Sequence, residues 1–103
     1  MKKWNVHAVL FKEGDWWVGQ WLEYDVAAQA KTVKDLIHEL LRTLAGHALI
    51  NMKNGRSEFA NLGRAPEKFW EMYEQGMKIE PPKAALKVPE ELPSLEPELH
   101  LVA

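Results

Sequence analysis

Residues 3 to 31 alternate in side-chain character with the two-residue period of an extended chain. In KWNVHAVLF, residues 3–11, Trp4, Val6, Ala8 and Leu10 share one face while Asn5, His7, Val9 and Phe11 share the other. Lys12-Glu13-Gly14-Asp15 predicts a turn in which Gly14 is free to take positive φ. Residues 16–22 then separate Trp17, Gly19 and Trp21 from Trp16, Val18, Gln20 and Leu22. Glu23-Tyr24-Asp25 turns the chain again, and residues 26–31 set Val26, Ala28 and Ala30 against Ala27, Gln29 and Lys31. The pattern predicts a three-stranded antiparallel meander.

At Thr32 the period changes. Thr32 suits an N-cap and Asp35 lies three residues on, in the first turn, so a helix is expected from Val33. Val33, Leu36, Ile37, Leu40, Leu41, Leu44, Ala45, Ala48, Leu49 and Met52 recur at steps of three and four, an apolar stripe of about five turns. Six large aliphatics along it are together worth roughly 10–15 kcal/mol of gross burial, so one face of the sheet must lie under it. Gly19, between two tryptophans of that face, leaves room for close approach of the helix. Asn54-Gly55 ends the element and residues 53–65 read as a loop. Pro66, Glu67 and Gly76 then frame a second, shorter helix with Phe69, Trp70, Tyr73 and Met77 on one side, a spacing that reads as core.

Beyond it, Pro81, Pro82, Pro89, Pro93 and Pro97 favour an extended path. Ala84 to Val88 and Leu99 to Val102 are the two pieces able to add edge strands. The expected architecture is α+β: an antiparallel sheet of three or four strands in β-β-β-α order, a long amphipathic helix on one face, a second short helix and a proline-rich extended tail. Residues 1–79 form the α/β domain and residues 80–103 the tail.

Composition narrows the chemistry. The 103 residues, 47 % of them hydrophobic, suffice for one core, and the absence of cysteine excludes disulfides, thiolate nucleophiles and thiolate zinc sites. No stretch reaches the roughly 20 apolar residues of a membrane span, and Trp4-Asn5-Val6-His7 interrupts any secretory apolar segment. A soluble, cytoplasmic protein is expected. Residues 1–79 carry 11 Lys and Arg against 10 Asp and Glu, and residues 80–103 carry 2 against 5, so the tail is acidic. The one basic cluster, Lys53, Arg56 and Arg64, is the place for nucleic-acid contact if there is any.

The string KEGDWWVGQWLEYDVAAQAKTVKDLIHELLRTL, residues 12–44, resembles the HicB-like antitoxin family, whose members carry a strand reading like W-V-A-Q-C-L-E-x-D, a short strand reading like A-x-Q-G-x-T and then a helix. The resemblance implies a partial RNase H-like or double-stranded-RNA-binding-like α/β fold and neutralisation of a toxin ribonuclease. Trp21 stands where the family often has a smaller residue, and Ala30 where it usually has glycine. The ribbon-helix-helix or helix-turn-helix module that many members use to bind their own promoter has no counterpart in the acidic, proline-broken tail, so promoter binding is not carried over.

No catalytic pattern is complete. His38-Glu39-Leu40-Leu41-Arg42 imitates the H-E-x-x-H zinc motif, but its last position is an arginine, which has no lone pair to give. His38 and His47 lie about 180° apart around one helix. Glu23 and Asp25 read as solvated turn residues; a degenerate nuclease would place its carboxylates there. The glycines are scattered and make no phosphate loop. No enzyme activity, metal or cofactor is expected.

The remaining candidate is the sheet face that the long helix leaves uncovered. Asn5, His7, Val9, Phe11, Trp16, Val18, Gln20 and Leu22 mix aromatic, aliphatic and polar side chains, too apolar a set to stand in water. The chain's own tail, a second copy or a toxin-like protein partner could cover it, and such a mixture suits an interface. A homo-oligomeric protein-interaction domain is the leading expectation, with nucleic-acid binding through residues 53–64 as the alternative.

Overall fold

The computed structural model describes residues 3–81 and 94–102. Their order is β1 (Lys3–Glu13), β2 (Trp16–Trp21), β3 (Ala27–Ala30), α1 (Val33–Lys53), α2 (Glu67–Gln75), β4 (Met77–Ile79) and β5 (Ser94–Val102). The expected meander is present. β1 and β2 pair antiparallel with Leu10 opposite Gly19, and β2 pairs antiparallel with β3, Gly19 opposite Ala28. A two-residue connection closes the first hairpin, with positive φ at Gly14 and not at Asp15, the arrangement of a II′ turn and a twist suited to adjoining strands.

The rest of the sheet differs from expectation. It has five strands in the order β3-β2-β1-β5-β4 and is mixed, because β5 runs parallel to β1. Residues 94–102 therefore lie between β1 and β4 and are no edge strand. The antiparallel, three- to four-stranded sheet is corrected accordingly. Pro97 is tolerated inside β5 because the described pairing with β4 ends at Ile79 opposite Leu99, leaving Pro97 beyond the end of that neighbour. The expected strand piece Ala84 to Val88 lies outside the described residues.

α1 starts where the capping signal places it. The Asp35 N–H donates to Thr32 Oγ1 at 3.1 Å, and the helix stops at Asn54, followed by Gly55 in the left-handed region. Leu36, Ile37, Leu40, Leu41 and Leu44 pack on Val6, Ala8, Leu10 and Trp21 of the sheet, with Leu95 and Leu99 of β5 completing the core. Gly19 permits this contact: a Cβ there would lie 2.6 Å from Leu40 Cδ1. Asn51, a polar residue inside the stripe, is buried and donates to the carbonyls of Glu58 (3.0 Å) and Ala60 (3.2 Å), fastening the 54–65 segment to the helix.

α2 lies across the opposite face of β1 and β5. It begins at Glu67, one residue after Pro66, and none of its side chains is fully buried. Phe69, Trp70 and Tyr73 are half-buried cover for the outer sheet face and do not join the main core. Gly76 ends the helix, as expected, with an extended backbone at φ −83°. Proximity accounts for the glycine, since a Cβ would sit 3.1 Å from the Leu101 carbonyl oxygen. Among the described residues no helix is long and apolar enough to cross a membrane.

Candidate functional site

The outer face carries the residues of interest, and α2 divides them. Over β1, Phe11 stacks on Phe69 with ring centroids 6.1 Å apart, and His7 meets the edge of Tyr73 at 5.7 Å. Val9, Gln20 and Leu22 are buried within the chain itself, Val9 and Leu22 completely. Their place in the expected interface is corrected: the cover supplied by α2 and the turn residues leaves them out of reach of a partner in this conformation. Gln20 satisfies its amide by donating to Asp25 Oδ1 and the Trp21 carbonyl, both at 3.0 Å. It is a staple of the β2–β3 turn.

What stays open is the β2–β3 side. Trp16 is 40 % exposed, Val18 is half-buried beside it, and Ala27, Gln29 and Lys31 are exposed. The Lys31 ammonium sits 4.0 Å from the centroid of the Trp16 ring, a cation–π contact. Asn5, at the other end of the face, is exposed as well.

Between these regions lies a polar cluster that sequence reasoning missed as a unit. Glu23 accepts from the backbone N–H of His7 (2.8 Å) and binds its Nδ1 (2.6 Å). Since a carboxylate only accepts, Nδ1 carries the hydrogen, and Nε2 faces Glu98 at 3.6 Å. Tyr73 donates its hydroxyl to Glu98 Oε2 at 2.7 Å, and Lys78 approaches Glu98 Oε1 at 3.5 Å. His100 stacks on Tyr73 at 3.7 Å and donates Nδ1–H to its carbonyl. The cluster borders an open cleft of about 420 Å³ lined by Asn5, His7, Lys78, Glu80, Glu96 and Glu98. Glu23 is thus engaged by His7 and Asp25 by Gln20, so the two carboxylates serve different partners. Among the described residues no three His, Asp or Glu side chains group as metal ligands.

Two titrations follow from this geometry. The Tyr73 phenol is pushed well above its ordinary 10, chiefly by burial and then by its bond to Glu98. The Tyr73 hydroxyl holds the Glu98 carboxyl below its ordinary 4.5, with Lys78 and His7 assisting. A lowered carboxyl contributes stability that is present above about pH 4.5 and lost as pH falls through the lower folded value. A raised phenol contributes stability that is lost as pH rises above 10. Tyr73→Phe is therefore expected to lower stability at pH 7 and to flatten both the acid and the alkaline falls, as read by urea denaturation at pH 3, 7 and 11. Unchanged curves would show that the hydrogen bond does not bear on stability.

The basic trio is placed apart. Lys53 ends α1, Arg56 lies in the following turn, and Arg64 is held on α2, its guanidinium 4.0 Å over Trp70 and 3.7 Å from Glu67. No protein family, no curated protein and no solved structure matches the chain.

Proposed function

We propose that the chain is a small, non-enzymatic protein-interaction domain of HicB-like type, and that it binds a basic, toxin-like protein through the open part of its outer sheet face. Trp16 carries the reading: a large indole, 40 % exposed, on the same strand face as Val18 and on the strip that α2 does not cover. Tryptophan is enriched among the residues that anchor protein interfaces, together with tyrosine and arginine. The cleft at the far end of the same face sets Glu80, Glu96 and Glu98 beside Lys78 and His7, a net acidic balance that favours the approach of a basic partner. The β1-β2-β3-α1 order, with α1 across the inner face, is the arrangement that the resemblance over residues 12–44 implies.

The test is capture from the native host with immobilised wild type and Trp16→Glu side by side, followed by identification of what is retained. Wild type is expected to retain a small basic protein that Trp16→Glu releases. Trp16→Glu should meanwhile keep the wild-type stability to within about 0.5 kcal/mol, as for other surface substitutions. Equal retention by both proteins would remove Trp16 from the interface, and retention of nothing by wild type would remove the reading.

A further inference from the structure

The turn that ends α1 holds the pair Asn54-Gly55, and both residues are exposed. Asn54 closes the helix with φ −93° and ψ 14°, and Gly55 follows in the left-handed region at φ 73°. Main-chain bonds keep that shape: the Asn54 N–H donates to the Ile50 carbonyl at 3.2 Å, the Gly55 N–H to Met52 at 3.0 Å and the Arg56 N–H to Asn51 at 2.9 Å. A Cβ at Gly55 would meet nothing within 4 Å, so the space beside this peptide is open.

An asparagine amide carbon is an electrophile that the main-chain nitrogen of the next residue can reach. The attack is unhindered when that residue has no side chain, and it requires a backbone free to turn the nitrogen onto Cγ. The four asparagines differ on both counts. Asn5 lies in β1 before Val6, branched and buried. Asn51 lies inside α1 with its amide engaged by the carbonyls of Glu58 and Ala60. Asn61 precedes Leu62. Asn54 is followed by glycine and stands at a helix end, where the last turn frays.

We infer that Asn54 is a site of spontaneous modification, at which the chain converts its own asparagine to aspartate and isoaspartate. The Gly55 nitrogen loses its proton to solvent and attacks Asn54 Cγ. The bond from Cγ to Nδ2 breaks and ammonia leaves, and water opens the cyclic succinimide that remains. Water adding at Cγ restores the main chain with an aspartate. Water adding at the main-chain carbonyl carbon of Asn54 leaves the chain running through the side chain, as isoaspartate. Water is consumed, ammonia is released, and nothing is oxidised or reduced.

The fold sets both the rate and the consequence. The ring closes only after ψ of Asn54 swings far from 14°, which breaks the Gly55 N–H bond to Met52, so the folded turn restrains the reaction. Either product places a negative charge on the last turn of α1, the end at which the helix dipole favours cations. Isoaspartate also lengthens the main chain and carries Gly55 and Arg56 off the Met52 and Asn51 carbonyls.

Ageing of the full chain in mildly alkaline buffer, read by peptide mass mapping and by enzymatic methylation of isoaspartate, tests it. Folded wild type is expected to accumulate isoaspartate at Asn54 ahead of Asn5, Asn51 and Asn61. Asn54→Gln, whose larger ring closes slowly, is expected to remain unmodified at that position with an unchanged far-ultraviolet circular dichroism spectrum. Unfolding wild type in guanidinium chloride is expected to speed conversion at Asn54 about tenfold, since the turn no longer holds ψ. Absence of isoaspartate from aged wild type, an equal amount in Asn54→Gln, earlier conversion at another asparagine, or no acceleration on unfolding overturns the inference.

Discussion

Trp21→Ala is expected to lower the folding free energy by about 3–5 kcal/mol, enough to remove much of the roughly 5–15 kcal/mol that holds a domain of this size folded. Trp21 is wholly buried between sheet and α1, in the cluster that includes Leu36, Leu40 and Leu44. Its indole also donates Nε1–H to the Leu40 carbonyl at 3.0 Å, so one side chain supplies both core volume and a polar tie to the helix. Truncation leaves a cavity that neighbouring aliphatics fill only in part. Trp21→Phe, which restores most of the volume and loses the donor, is expected to cost about 1–2 kcal/mol. Urea denaturation of the three proteins checks the order. A loss under about 1 kcal/mol for alanine would show that the indole is not the keystone of the α1 contact.

Gly19→Val is expected to destabilise by about 3 kcal/mol, the upper part of the range for overpacked cores. The sign is informative. Valine is a far better strand residue than glycine, and on propensity alone the change would stabilise by up to about 1 kcal/mol. At Gly19, however, even a Cβ would meet Leu40 Cδ1 at 2.6 Å and Cγ at 2.9 Å, and Leu40 is itself buried in the core with little room to turn away. A stabilised Gly19→Val would show that α1 does not rest on β2 at this point. Thermal or urea midpoints suffice to read it.

The inner face was legible because each of its signals is local. Alternation separated Trp17, Gly19 and Trp21 from their neighbours, a Thr32 cap fixed the start of α1, and a glycine between tryptophans announced the close approach that Leu40 makes. Trp21 adds to that packing a bond from its indole N–H to the Leu40 carbonyl of the helix. The fifth strand was harder to read. Leu95, Leu99 and Leu101 alternate with Glu96, Glu98 and His100, a period-two signal that two prolines and a run of acidic residues disguised as a solvated tail. Its neighbour β1 is some ninety residues away in the chain, and parallel pairing at such a separation leaves no turn signal behind.

The polar cluster was lost for the same reason. His7 sits on β1 and Glu23 in the turn after β2, which reads as solvated, while Glu98 and His100 come with β5, and Tyr73 with a helix whose docking face periodicity alone does not reveal. Once β5 is paired, His7 stands opposite Glu98 and the cluster follows from register. The outer face was over-read in one respect: Val9, Gln20 and Leu22 are covered by the chain's own elements, which confines the open strip to the neighbourhood of Trp16.

That strip is the centre of the functional proposal, and calorimetric titration of the captured basic partner, purified, into wild type and Trp16→Glu tests it most directly. Loss of an anchoring tryptophan costs about 2 kcal/mol or more, so Trp16→Glu is predicted to bind at least about thirtyfold more weakly at unchanged stability. Equal affinity of the two proteins would contradict the proposal.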